Sequence, residues 1–278
     1  YASSRHIPGV RFPGTIHPGL IGTLPSADLL KTWNDREKKL FDTNPTRTPP
    51  LCTLPDGMAG TTTALMGGMT GADAKLAGEE AARTVPGREH GGNCDIKNLS
   101  RGSKVFFPVY VDGAGLSMGD IHWSQGDGEI TFCGAIEMAG WIDISVDIIK
   151  GGMEMYGVTN PIFQTSPIDA NYSEYLVFEG ISVDEHDGEQ HYLDATVAYR
   201  RACLNAVEYL KKFGYSGEQA YMILGTAPVE GRVAGIVDIP NACCTVSIPT
   251  AIFDFDINPN ATGPTQSIPV GVDVAECT

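Results

Sequence analysis

Two glycine-rich stretches hold most of the side chains able to do chemistry: Arg88 to Asp95 (REHGGNCD) and Gly119 to Glu129 (GDIHWSQGDGE). The second offers Asp120, His122, Gln125, Asp127 and Glu129 in a run with little packing value. Burying such groups is costly unless they are paired, protonated or bound to a cation. Asp120 and His122 are two residues apart, so at the end of a strand both side chains point to one side. Oxygen and imidazole donors together suit zinc, or manganese and iron where oxygen dominates. The first stretch adds His90 and Asp95, and its glycines allow close backbone approach. The expected metal set is therefore His90, Asp95, Asp120 and His122.

Gln125, Asp127 and Glu129 also alternate, leading into EITFCGAIE, where Glu137 faces the same way as Glu129. Eight residues of straight strand span about 26 Å at about 3.3 Å each, so both carboxylates reach one ion only if the strand bends. Glu129 is expected nearer the chemistry. A carboxyl group there could move protons to and from a water, with Asp127 and Glu137 as lesser candidates. Gln125 could steady a developing oxyanion.

Blander readings stand beside these. A strand-end Asp-x-His pair is more often a turn residue plus a surface imidazole, and QGDGE suits a hairpin loop on backbone grounds alone. His6 and His17 sit beside prolines and read as structural, and His186 and His191 flank a solvated acidic turn. Cys94 and Cys133 read as packed thiols, with a cysteine-nucleophile enzyme using either as an alternative. A non-enzymatic alternative has Asp120, Asp127 and Glu129 hold calcium, without the spacing of an EF-hand. The metal reading is raised by two separate loops each bringing a histidine and a carboxylate.

These loops need a scaffold. Residues 1–25 read as an extended entry segment, 26–86 as a helical and loop insertion, and 87–278 as a β-rich core with helices. Within the insertion, SADLLKTWNDREKKLF has helical apolar spacing and GADAKLAGEEAAR reads as a short helix. Strand-like runs follow in KVFFPVYV, GLSM, EITFCGAIE, WIDISVDII and YLVFEGISVD, and later in RVAGIVDIP, CTVSIP and AIFDFDI. Between them lie the long helix DATVAYRRACLNAVEYLKKF and a second helix opened by a Ser216-x-x-Gln219 capping box. The expected class is α+β, with a jelly-roll-like β-sandwich core and flanking helices.

Composition narrows the partners. The 278 residues carry 19 Lys plus Arg against 34 Asp plus Glu, a net charge of −15 that repels nucleic acid and anionic lipid. No apolar run has the length of a membrane span and no secretory signal opens the chain, so the expected compartment is cytoplasmic. Seven cysteines without C-x-x-C pairing argue against a disulfide framework or a zinc knuckle.

The stretch HGGNCDIKNLSRGSKVFFPVYVDGAGLSMGDIHWSQGDGEITFCGAIEMAGW resembles the central region of the acetamidase/formamidase family, nearest its formamidases. The likeness continues through SRHIPGVRFPGTIHPGLIG, YLKKFGYSGEQAYMILGTAPVEGRVAGIVDIPNAC and FDFDINPN. The joint pattern H-G-G-N-x-D followed by G-D-x-H-x-x-Q-G-D-G-E is far more specific than either part. The resemblance implies hydrolysis of formamide or another very small amide, a sandwich-containing fold, a homo-oligomer and, for some relatives, zinc. It also implies a sizeable family segment ahead of the match to Tyr1. The chain is therefore expected to be a fragment or processed subunit, with that segment as a possible separate polypeptide partner.

Overall fold

The computed structural model describes residues 1–43, 68–132, 134–169 and 171–259. The entry segment, expected to be largely extended, folds into β1 (Ala2–Ser4), β2 (Ile7–Phe12) and β3 (His17–Gly22). β1 and β2 form an antiparallel ribbon. β3 instead becomes the centre of a five-stranded antiparallel sheet, ordered β4–β5–β3–β7–β8. Its partners are β4 (Gly87–Arg88), β5 (Gly91–Asn93), β7 (Ser117–Gln125) and β8 (Ala135–Glu137). The register sets His17 opposite His122 and Leu20 opposite both Gly119 and Asn93. One strand thus joins the two glycine-rich stretches.

The expected helices form as α1 (Ala27–Thr43), α2 (Gly71–Glu80), α4 (Ala195–Lys211) and α5 (Gly217–Thr226), with the short α3 (Gly152–Tyr156) in addition. Asp194 caps α4 by accepting from the N–H groups of Thr196 and Val197, and Ser216 and Gln219 form the capping box of α5. α4 packs against β10 (Tyr175–Ile181) and β12 (Cys243–Pro249) of a second sheet, ordered β10–β12–β11 with β11 at Glu230–Gly235. Ala202, Ala206 and Leu210 of α4, Ile223 and Leu224 of α5, and Val246 and Ile248 of β12 form the buried core. Each large aliphatic side chain contributes about 1.5–3 kcal/mol by leaving water. The approach is close: a Cβ on Gly180 of β10 would lie 2.2 Å from the Ala198 carbonyl oxygen.

The mixed helix and sheet class holds, but several strands differ from expectation. EITFCGAIE is not one strand. After β7 the chain turns at residues 126–132 and returns as β8, because Gly126 is clamped against α5. Its N–H donates to the Gly225 carbonyl at 3.0 Å, and a Cβ there would lie 2.0 Å from the Leu224 carbonyl oxygen. KVFFPVYV shortens to β6 (Lys104–Phe106), which pairs with β9 (Ile162–Gln164), since Pro108 has no N–H for a ladder. GLSM merges into β7, WIDISVDII has no ladder partner among the described residues, and AIFDFDI opens with a 3₁₀ turn at Thr250–Ile252. Within the helical and loop insertion expected over 26–86, residues 44–67, Cys52 among them, lie outside the described residues, as do Cys133 and Cys277. Among the described residues no helix is long and apolar enough to cross a membrane.

Candidate active site

β7 and the loop leaving β5 meet across β3, and their carboxylates converge on one imidazole. His122 Nε2 lies 3.2 Å from Asp120 Oδ2 and 3.9 Å from Asp95 Oδ1. One donor atom from each of Asp95, Asp120 and His122 lies within 4.8 Å of the other two. The two measured separations are no greater than twice a zinc–ligand bond of about 2.0–2.2 Å, so this donor set suits a small divalent cation. Gly19 of β3 keeps the space open. A Cβ there would stand 2.7 Å from Asp120 Oδ2 and 2.7 Å from His122 Nε2.

The backbone beneath the site is strained. Asp95, Asp120 and Glu129 adopt positive φ angles of 48°, 54° and 44°, a region that disfavours side chains other than those of Gly, Asn and Asp. For Glu129 such a position costs on the order of 1–3 kcal/mol, and all three persist where the surroundings impose them. Here the Cys94 and Asp95 N–H groups both donate to the Gly19 carbonyl, at 2.9 and 3.1 Å. Gly126 and Gly128 make the turn that carries Glu129 back toward Asp95.

Glu129 and Asp95 share a side-chain hydrogen bond. Burial, then the neighbouring Asp95, push the Glu129 carboxyl up to about 7. Burial also raises Asp95. Two carboxyl groups this close hold one proton between them more readily than they hold two charges. Burial lowers His17, whose Nδ1 lies 2.7 Å from the Thr15 carbonyl oxygen.

The structure separates the remaining candidates. His90 is outside the donor cluster: its ring packs 4.6 Å from that of Trp33, and its Nδ1 is buried without a hydrogen-bond partner. Asp127 points away from the chemistry, bound to Lys97 Nζ at 2.6 Å and to the Gly231 N–H at 3.0 Å. Gln125 is 1% exposed, with Oε1 against His17 and His122 and Nε2 donating to the Asp95 carbonyl. Its carboxamide is committed within the protein, which does not fit the expected oxyanion role. Glu137 comes back on β8 opposite His122, is exposed, and lines a depression of 490 Å³ with Asp120 and Ile121. The hairpin brings it close without the bend that a straight strand needed. Cys94 is half-buried and its thiol is pushed up by burial, the opposite of an activated nucleophile.

The sequence profile of the Acetamidase/Formamidase family matches residues 1–255. The chain belongs to this family. It is 64% identical to a formamidase of Methylophilus methylotrophus over 275 residues, covering 99% of this chain and 66% of that protein. It is 60% identical to an acetamidase of Mycolicibacterium smegmatis over 234 residues, covering 84% of this chain and 56% of that protein. A gamma lactamase from Delftia acidovorans has a similar solved structure, with a TM-score of 0.88 and 66% identity over 98% of this chain and 65% of that one. The chain thus spans somewhat less than two-thirds of the length of these relatives. His17, expected to be structural, packs against Gln125 and His122, and Gly19 and Lys97 join it in building the site. The H-P-G triplet at 17–19, shared by one strand with a register partner at His122, is the signal that could have found His17 and Gly19.

Proposed function

We propose that this site belongs to an amidohydrolase that cleaves formamide, or another short aliphatic amide, to carboxylate and ammonia. Asp95, Asp120 and His122 would hold a divalent cation, zinc by the chemistry of the donors. The observation that carries the reading is their convergence on one Gly19-lined space with Glu129 hydrogen-bonded to Asp95. Relatives named formamidase and acetamidase support the substrate class.

Amide resonance weakens the carbonyl as an electrophile, and nitrogen leaves readily only when protonated. When bound, a divalent cation supplies Lewis acidity and makes a water more acidic. Glu129 is the carboxyl group placed to take a proton from water and return it to the amide nitrogen. Asp120 opens on the 490 Å³ depression, which gives a small substrate a route inward. Asp127 and Gln125 act on the scaffold in this proposal.

The jelly-roll-like sandwich belongs to the same proposal, completed by a second polypeptide. That polypeptide is another copy in a homo-oligomer. Supporting this, Trp141 is 97% exposed, and Ile144, Val146 and Ile148 alternate along an exposed run. An exposed apolar run of this kind is stabilised by a partner.

The test is ammonia release from formamide and acetamide before and after chelation, with elemental analysis. Chelation abolishes release and zinc restores it. Glu129→Gln lowers release by about 10²–10⁴-fold while zinc content is unchanged. Undiminished release from metal-free protein would rule the mechanism out.

A further inference from the structure

We propose that Tyr199 of α4 and Lys97 of the loop after β5 are positioning residues: by gripping Asp127 from two separate elements, they set where Glu129 stands against Asp95. The inference rests on the reading of Glu129 as the proton carrier and adds what holds that group in place.

Glu129 ends a turn that moves as one piece. Its N–H donates to the Gly126 carbonyl at 3.2 Å, and Gly128 within the turn has a φ of 89°, which glycine adopts at little steric cost. The place of the turn is therefore set by what holds it from outside, and those contacts converge on Asp127. Its N–H donates to the Val229 carbonyl at 3.0 Å, and its own carbonyl accepts from the Tyr199 hydroxyl at 2.6 Å. Oδ1 accepts from Lys97 Nζ at 2.6 Å and Oδ2 from the Gly231 N–H at 3.0 Å. Every polar group of Asp127 is engaged by a partner remote in sequence.

Two of those contacts bear on the chemistry. Lys97 lies two residues after Asp95, so its 6% exposed side chain ties the loop that carries Asp95 to the turn that carries Glu129. The hydrogen bond between the two carboxyl groups is made across that tie. Tyr199 acts from α4. A Cβ on Gly128 would stand 2.9 Å from its Cε1, and a Cβ on Gly231 would stand 2.6 Å from its hydroxyl oxygen. The two glycines make room for the ring, and the ring leaves the turn no room to slide toward α4. Placement of this kind matters because a reacting group displaced by about 1 Å can lose about 10²-fold in rate.

Tyr199→Phe removes one hydroxyl and keeps the ring. In the full chain, kcat on formamide is expected to fall about 10–100-fold while KM and zinc content hold. Hydrogen exchange across residues 126–129, read by mass spectrometry, is expected to speed up. Tyr209→Phe removes a hydroxyl of the same helix that is bonded to the Ile257 carbonyl, and should leave kcat unchanged. Added to Glu129→Gln, Tyr199→Phe should lower kcat no further, because changes that act through one group do not add. Unchanged kcat or unchanged exchange in folded Tyr199→Phe overturns the proposal, as does an equal fall in Tyr209→Phe or a full further fall beside Glu129→Gln. Should Tyr199→Phe fail to fold, Lys97→Gln is put through the same measurements and decides on the same terms. Full activity in Glu129→Gln sinks the proton-carrier reading and this proposal with it, whereas a loss there with none in Tyr199→Phe sinks this proposal alone.

Discussion

Gly19 stands directly under His122, with room for a hydrogen but not for a methyl group. A Cβ would lie 2.7 Å from the ring's Nε2 and from Asp120 Oδ2. Asp120 can swing aside, whereas His122 is buried and held through Nδ1. Gly19→Ala is expected to destabilise the fold by about 1–3 kcal/mol as overpacking does. It should also lower zinc affinity, because the methyl occupies the space between the donors. Urea denaturation and chelator competition measure the two effects separately.

Asp127 illustrates how an acid beside a site can serve the scaffold. It pairs with Lys97, whose side chain is 6% exposed, and so fastens the loop after β5 to the turn after β7. Asp127→Ala leaves that ammonium buried and unpaired, at a cost of about 3 kcal/mol. The expected outcome is a lower urea midpoint with an unchanged slope. Lys97→Met added to Asp127→Ala should recover much of the loss, since no stranded charge remains. Asp127→Ala as stable as the wild type would show that the pair contributes nothing.

Much of this arrangement was legible in the residue order. Asp120 and His122 share a side because they are two apart, and Asp95 joins them because its glycine-rich approach lets the backbone close in. Helical spacing, with the capping box of α5, gave α1, α4 and α5 for the same local reasons. What local pattern does not carry is long-range pairing. Pro18 and Gly19 obscured β3, so His17 looked like an isolated residue until the sheet set it opposite His122. EITFCGAIE has strand-forming residues throughout, yet tertiary contact between Gly126 and α5 overrides that preference. Asp127 differs from Glu129 only through partners 30 and 104 residues away in sequence.

The docking of α1 should depend on pH. Glu89 accepts from Arg36 through both of its oxygens, at 2.8 and 3.1 Å, and from the Trp33 indole N–H at 2.7 Å. Hydrogen bonding from Arg36 holds its carboxyl down at about 2, against an ordinary 4.5. A carboxyl group depressed by folding adds stability that is complete above its unfolded value and disappears as pH falls toward its folded one. The clasp should therefore weaken from about pH 4.5 to about pH 2. Trp33, 1% exposed, reports the change by a red shift in fluorescence. Glu89→Gln should remove that pH dependence; if the shift survives in the variant, another group controls it.

The exposed run from Trp141 to Ile149 leads to a prediction about assembly. Ile144, Val146 and Ile148 fall on alternate positions, the period of a strand with one buried face, yet all three are exposed. Their backbone has no ladder partner among the described residues. A face of this kind leaves apolar area and hydrogen-bonding groups available together, which favours the addition of another chain. Under the proposed assembly, Val146→Lys places a charge in the middle of the covered face. It should shift the sedimentation coefficient to that of a smaller species, while Asp112→Lys on a remote exposed turn should not. Sedimentation unchanged by Val146→Lys would detach this run from assembly, and the apolar alternation would then need a different explanation.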